Sequence, residues 1–384
     1  MIIREQKLGF IKNTIAAIKR RRRWFTNGFG WNKFINICHS CFGFILKKEH
    51  LNSFPVALKV DISPLCNLRC PFCVHGTHSP IGAFKKTQRM TVNQFDRLIN
   101  EIKGHTSALS LYYLGDPLTH PDLNQFCSIA KDAGIFTHIS TNFSFNLSDE
   151  KLKNLVLSGL NHITVCLDGY SQERYSVSRV GGRVEWVKSN LSRICEIREA
   201  TKSPITIEVQ FIQNDANRME LDQVIDFCRE IGVDEFATYE TADYTMESIH
   251  PDHYQVMSYL DSTVVPRCYW PYFFMTIKWN GDVIPCCSHR QDEQYNPARD
   301  PITSFGNIFE TSLLEVWNSP QYITARKYVS NPNAYANEAN EMAKKEFCHG
   351  CSKICEVANK PDLILASAPG PKSVPLYMTT DTFA

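Results

Sequence analysis

Cys66-Asn67-Leu68-Arg69-Cys70-Pro71-Phe72-Cys73 follows closely on the apolar run Ala57–Ile62. Three thiolates within eight residues can ligate three irons of a four-iron cluster and leave the fourth open to a non-protein ligand. Soft thiolates suit iron–sulfur clusters or zinc. Structural zinc usually takes four protein ligands and favours paired Cys-x2-Cys elements. Here the spacing is x3 then x2, with an aromatic residue before the last cysteine.

From residue 56 the chain alternates between two periodicities. Apolar runs recur at Ala57–Ile62, Leu109–Leu114, Phe136–Thr141, His162–Leu167, Ile205–Phe211 and Glu235–Tyr239. Helical patterns separate them at Val92–Lys103, Pro121–Ala133, Ser148–Ser158, Val184–Ala200 and Met219–Ile231. Thr91 and Ser148 suit helix N-caps, and Pro121 suits a first turn. Gly104, Gly134, Gly159 and Gly232 each follow a helix, where a left-handed residue stops it. Six βα units predict an α/β protein with a parallel sheet, either a full or partial barrel or an open doubly wound sheet.

After about residue 262 the rhythm breaks. Phe274–Trp279 and Val283–Cys287 flank Asn280-Gly281-Asp282, a hairpin signature. A short helix is expected near Ser312–Asn318, and cysteines crowd positions 348–355. The expected organisation is a basic helical element (1–55), a βα region (56–261), a small loop-rich domain (262–360) and a Pro/Ser/Thr-rich tail (361–384).

The bulk composition suits a soluble globular chain of 384 residues, with 43% hydrophobic and 21% charged residues. A net charge of +1 gives no argument for nucleic acid. Fifteen cysteines in a long chain, an odd number and without an N-terminal stretch that reads as a cleavable signal, point to metal, catalysis or packing rather than disulfides. No run reaches the roughly 18 apolar residues of a membrane-spanning helix. The nearest, Phe34–Leu46, is interrupted by Asn36, His39 and Ser40, and the protein reads as cytoplasmic. Leu8, Ile11, Ile15 and Ile18 recur at helical spacing ahead of Lys19–Arg23, Trp24 and Phe25. Residues 8–25 could therefore lie on an anionic membrane surface or bind an acidic partner. The plainer reading is a solvated charge run capping a helix that packs on the body.

The Cys-x3-Cys-x-aromatic-Cys motif after a first strand resembles the signature of the radical S-adenosylmethionine (SAM) superfamily. The resemblance implies a partial (β/α)6 TIM-type barrel. It also implies a [4Fe–4S] cluster on Cys66, Cys70 and Cys73 whose open iron chelates SAM. In that family, reductive cleavage of SAM gives a 5′-deoxyadenosyl radical that removes a hydrogen atom from an unactivated C–H. The electron comes from a partner such as flavodoxin or ferredoxin. Leu114-Gly115-Asp116-Pro117 resembles the family's Gly-Gly-Glu-Pro element at the SAM amino group, with Leu for the first Gly and Asp for Glu. That contact is largely through backbone in the family, so it is expected to survive the changes. Gly115, Asp116, Pro117, Ser140, Asn142, Asp168, Arg179 and Gln210 are thereby expected to bind SAM. Glu208 and Gln210 are expected to face inward by strand alternation.

Cys268, Cys286, Cys287, Cys348, Cys351 and Cys355, with Trp279–Cys287, Phe305–Ile308 and Leu314–Ser319, resemble SPASM/twitch domains. The resemblance implies one auxiliary [4Fe–4S] cluster on Cys268, Cys286, Cys348 and Cys351, with Cys355 the alternate. Four thiolates also suit zinc. Cys287 and Cys166 are candidate hydrogen donors, whereas Cys38, Cys41, Cys127, Cys195 and Cys228 are assigned to packing. The expected reaction is oxidation or epimerisation at a carbinol C–H of a sugar-like or other polar small molecule. The alternatives are maturation of a peptide and, outside enzymes, an iron–sulfur electron carrier or redox sensor.

Overall fold

A computed structural model describes residues 23–24, 28, 30–71, 73, 76, 84–240, 266, 268–286, 304–332, 348 and 376–379. Six strands alternate with helices: β1 (Ala57–Val60), β2 (Ala108–Ser110), β3 (Phe136–Thr141), β4 (His162–Cys166), β5 (Thr206–Gln213) and β6 (Glu235–Glu240). They lie side by side in chain order, all parallel. Crossovers of one hand place every connecting helix on the same side of such a sheet. The other side becomes the inside of a partial barrel.

Strand alternation supplies the two faces. Leu58, Val60, Leu109, Ile139, Ile163, Val165, Ile207 and Val209 turn outward and share one buried core with the helices. α1 (Trp31–Ile45) precedes the barrel; α2 (Val92–Ile102) and α3 (Leu123–Asp132) give that core Phe95 and Phe126, stacked 4.4 Å apart. α4 (Asp149–Leu157), α5 (Gln172–Ser178), α6 (Val184–Thr201) and α7 (Leu221–Glu230) complete the layer. Thr91 caps α2 in a reciprocal capping box with Gln94, and Ser148 caps α4 through Lys151 N. Pro121 lies outside α3, which begins at Leu123. Of the four helix-stopping glycines, Gly134, Gly159 and Gly232 are left-handed and Gly104 is not.

The inward face is polar. His138 Nε2 lies 2.8 Å from Thr164 Oγ1, and Thr164 donates to Glu208 (3.0 Å). Glu208 in turn pairs with His162 at 2.8 Å. At the strand starts Ala57, Ala108 and Phe136 form a small apolar floor with Trp24 and Phe274. Arg23 is drawn to the same end, 2.7 Å from Glu235, and its Nη1 donates to Thr206 Oγ1. Trp24 thus belongs to the barrel floor, and Arg23 pairs with its residues instead of being only solvated. Residues 8–22 lie outside the described residues.

The C-terminal hairpin continues this sheet. β7 (Phe274–Ile277) follows the one-turn α8 (Trp270–Phe273) and pairs parallel with β1. β8 (Val283–Ile284) returns antiparallel across Asn280-Gly281-Asp282, with Gly281 at φ 89°. α9 (Leu313–Trp317) and α10 (Pro320–Ser330) pack behind it. Within the tail, β9 (Leu376–Thr379) pairs antiparallel with β6.

Arg326, fully buried, ties these parts together. It donates to the carbonyls of Pro271, Trp317 and Glu49 at 2.7–2.8 Å. Asn318 exchanges two hydrogen bonds with the Leu51 backbone. Burial lowers Arg326 to about 10. None of the twelve described cysteines is in a disulfide. Cys127, Cys195 and Cys228 are buried as expected for packing, whereas Cys38 and Cys41 are exposed on α1. That assignment fails because α1 turns its polar side inward.

Candidate active site at the barrel rim

The cysteine loop leaves the C-terminal end of β1 and is fastened on both sides. Asn67 Nδ2 donates to Ser144 O beyond β3 (2.8 Å), and Arg69 N donates to Val180 O beyond α5 (2.9 Å). Turns link Cys70, Cys73 and Gly76 through Cys73 N to Cys70 O and Gly76 N to Cys73 O. A Cβ on Gly76 would stand 2.3 Å from Cys70 O, so the loop closes on itself only with glycine there.

Gly115 does the same from β2. A Cβ there would lie 2.0 Å from Ser63 O and 2.6 Å from Leu65 O. The strand end is therefore pressed flat against the loop carrying Cys66. Asp116 N donates to Leu65 O, and the Asp116 carboxylate is filled from β3. Thr141 Oγ1, Asn142 N and Asn142 Nδ2 donate to it at 2.7–3.0 Å, and Leu118 N donates at 3.0 Å. Burial raises Asp116 to about 6 against these donors. Pro117, itself buried, opens the turn that follows.

Three small groups converge. Asn142 Nδ2 also reaches Asn67 Oδ1 and stands 3.9 Å from Cys66 Sγ, to which Leu68 N donates at 3.5 Å. Asp168, fully buried at the end of β4, pairs with Arg179 Nε and Nη2 at 2.6 Å each and accepts from Ile212 N. Arg179 is also hydrogen-bonded to Cys70. Although desolvation opposes the charge, Asp168 and the nearby thiols hold Arg179 well above its ordinary value. Cys166 Sγ lies 3.7 Å from Gln210 Oε1 and 3.8 Å from Ser140 Oγ. Glu208 and Gln210 both face inward, Glu208 deeper in the barrel.

These residues suit an iron–sulfur cluster. Burial pushes the thiols of Cys66 and Cys70 up to about 12 and about 11. Ligation therefore displaces a proton, and the N–H donors aimed at Cys66 and Cys70 favour the thiolate that remains. In the C-terminal domain Cys348 is buried and Cys286 half-buried; both lie near enough to Tyr322 to act on its ionisation, as Cys268 does on Tyr272. Aromatic rings from α8 and α10, lying against Arg326, thus back these three thiols. That set also suits iron. Cys287, Cys351 and Cys355 lie outside the described residues.

Asp61 is a rim residue that the sequence reading passed over. It follows β1 in full burial, where the Leu114 and Gly115 backbone favours its ionised form and its Oδ1 has no hydrogen-bond partner among the described residues. Burial lifts its carboxyl to about 7, while Lys278 of the hairpin and Lys59 pull the other way. The available signal was one acid inside an apolar strand run. His162, Glu208 and Glu235 have ligand atoms within 4.8 Å of one another. Arg23 and Thr164 already engage the two carboxylates, so the group reads as a compensated ion-pair network.

The parallel barrel with cysteines at its C-terminal rim defines a cluster-dependent SAM enzyme fold. Comparison with known families agrees: the Radical SAM superfamily model matches residues 60–235, and the model for an iron-sulfur cluster-binding domain, SPASM, matches residues 268–352. The chain belongs to the radical SAM superfamily and carries a C-terminal SPASM domain. Its cofactors are SAM and [4Fe–4S] clusters, one of them at the SAM site.

Among its relatives is the tungsten-containing aldehyde ferredoxin oxidoreductase cofactor-modifying protein of Pyrococcus furiosus. It is 24% identical over 71% of this chain and 84% of the relative. The PqqA peptide cyclase of Rhizobium meliloti is 23% identical over 78% and 80%. SuiB of Streptococcus suis superposes in its SAM-bound structure with a TM-score of 0.56 at 19% identity, covering 94% of this chain and 86% of SuiB. Its structure bound to the precursor peptide SuiA gives 0.55 at 18% identity, over 80% and 74%. Among the described residues no helix is long and apolar enough to cross a membrane.

Proposed function

We propose that the protein is a peptide-maturing radical SAM enzyme, acting on a C–H of a precursor peptide. The observation that carries this is a likeness spanning both domains: the PqqA peptide cyclase aligns over 78% of this chain. The comparisons favour peptide maturation over a sugar-like substrate.

Cys66, Cys70 and Cys73 would hold the SAM-binding cluster, and Cys268, Cys286, Cys348 and Cys351 (or Cys355) the auxiliary one. Bound there, the cofactors supply one-electron chemistry able to remove a hydrogen atom from an unactivated C–H. The protein's own part is positional. Asn142 and Leu68 N donate toward Cys66 Sγ, and Asp168 orients Arg179 onto Cys70. Gly115 gives the rim turn a flat backbone beside Cys66, and Ser140, Cys166 and Gln210 line the inside next to it. A flavodoxin- or ferredoxin-like protein would deliver the electron.

The test is anaerobic incubation of cluster-loaded enzyme with SAM, reductant and a small peptide encoded beside its gene. Formation of 5′-deoxyadenosine together with loss of two hydrogen masses from the peptide supports the reading. Cleavage that every such peptide leaves unaffected and unmodified argues against it. The inward-facing thiol of Cys166 favours a second reading, epimerisation by thiol hydrogen donation. In D2O that reaction leaves deuterium at an inverted carbon.

A further inference from the structure

α1 is built inside out. Lys33, Asn36, Ser40 and Gly43 are its buried residues. Lys33 Nζ donates to Gly134 O, and Asn36 Nδ2 donates to the carbonyls of Phe54 and His105. The opposite side shows Ile35, Phe42, Ile45 and Leu46 at 48%, 55%, 59% and 52% exposure. Trp31 and Phe34, packed edge to face, continue the row toward the helix start. The only Lys, Arg, Asp or Glu in the helix is Lys33, which is buried, so the outward side carries none. A contiguous apolar surface of this kind marks an interaction site.

Charge points to the partner. Residues 1–55 hold eleven Lys and Arg against two Asp and Glu, in a chain totalling 41 against 40. The acidic excess therefore lies entirely beyond residue 55. Lys48 stands over Phe42 at the edge of the apolar row, 5.1 Å from its ring. An apolar helix face with basic residues at its border fits an anionic lipid surface. A second copy would set two basic borders against each other. Lys33 and Asn36 bond to the segments that lead into β1, β2 and β3, and Phe44 packs on Tyr272 and Phe273 ahead of β7, on the side opposite the cysteine rim.

We propose that α1 docks the protein on an anionic bilayer, lying in the headgroup plane with Ile35, Phe42, Ile45 and Leu46 toward the acyl chains. The rim then faces away from the lipid and stays open to substrate. The acidic remainder of the chain is repelled by the same surface, which fixes the orientation.

Flotation of the full-length, cluster-loaded protein tests this, using phosphatidylcholine vesicles with and without phosphatidylglycerol. The protein should float with the phosphatidylglycerol vesicles and much less with phosphatidylcholine alone. Ile35→Asp should weaken that binding by about tenfold or more, with 5′-deoxyadenosine formation unchanged. Phe42→Ser is the milder variant if Ile35→Asp unfolds. Three results would overturn the proposal: no flotation on anionic vesicles, flotation indifferent to both variants, or a lipid-free dimer that either variant dissolves.

Discussion

The two cysteine regions are assembled in opposite ways. At the rim, the surroundings of Cys66 and Cys70 are polar and come from far along the chain: Asn142 after β3, Arg179 after α5 and Asp168 after β4. In the SPASM domain the described cysteines lie near aromatic rings, and one buried cation fastens the whole unit through carbonyls. The rim is thus tuned by exchangeable polar contacts laid over a barrel that is stable for other reasons. The SPASM domain has its packing and its site in the same residues. A rim substitution should therefore change chemistry with little change in stability, and a substitution around Arg326 should do the reverse.

The sharpest way to break this contrast is Cys70→Ala. We expect iron bound at the rim and SAM cleavage both to be lost, with the apolar barrel core untouched. Iron analysis, 5′-deoxyadenosine quantitation and a circular dichroism melt measure the three. A melt that collapses together with cleavage would mean that the rim is structural too.

Arg326→Leu comes next. Leucine keeps the apolar walls but strands the carbonyls of Pro271, Trp317 and Glu49. Unsatisfied buried acceptors cost about 1–3 kcal/mol each, so a loss on the order of 4 kcal/mol is expected. Urea unfolding reads it. A loss under about 1 kcal/mol would show that water reaches those carbonyls.

How much of this was legible in the sequence depended on how one-sided each element is. β3 was read at its full length because Phe136–Thr141 stays in the sheet throughout. The β2 run continued to Leu114, yet the strand ends at Ser110 because the chain leaves the sheet to press against Ser63–Leu65. Apolar content does not separate a strand from a buried loop. α10 escaped notice because seven of its eleven residues are buried and leave no stripe. The apolar content of Phe34–Leu46 was visible, but nothing in it says which side faces the body; Lys33 and Asn36 decide that through carbonyls of distant loops. At the rim the cysteine motif announced itself. The Asp61 contacts depend on a close approach between β1 and β2 that only the fold creates.

Asp61 sharpens the comparison on the rim side, where polar groups should matter more for pH response than for packing. Its folded pKa, about 7, lies above the ordinary 3.8, so the fold favours the protonated acid. The associated stability is fully present below about pH 4 and is lost as pH rises through 7. By linkage the total is on the order of 4 kcal/mol. Asp61→Asn should remove that slope. Urea unfolding of both proteins at pH 5 and pH 8 gives the difference, and parallel curves would place the carboxyl in contact with solvent.

Gly115→Ala is smaller and local. The new methyl meets Ser63 O at 2.0 Å, and backbone must shift to admit it. Overpacking of this kind costs about 1–3 kcal/mol. Because the displaced backbone leads into Cys66, SAM cleavage should fall further than stability alone explains. Differential scanning fluorimetry and 5′-deoxyadenosine assays on the same sample separate the two. Equal, small losses in both would mean that the loop carrying Cys66 yields freely, and that the flat contact at Gly115 matters for packing only.

The mildest test is Cys166→Ser, which removes a thiol from the inward face without touching any cysteine of the rim loop. The hydroxyl keeps a donor for Gln210 and a neighbour for Ser140, so folding should change by less than about 1 kcal/mol. In a peptide-maturing enzyme, SAM cleavage and peptide modification should both persist within about threefold, a difference of about 0.7 kcal/mol. In an epimerase, cleavage would persist while the inverted product disappears, because serine cannot return a hydrogen atom as a thiol does. The same variant therefore separates the two chemistries, and its effect on cleavage, set beside the loss expected from Cys70→Ala, measures how sharply the rim divides cluster-holding sulfur from sulfur that only faces the substrate.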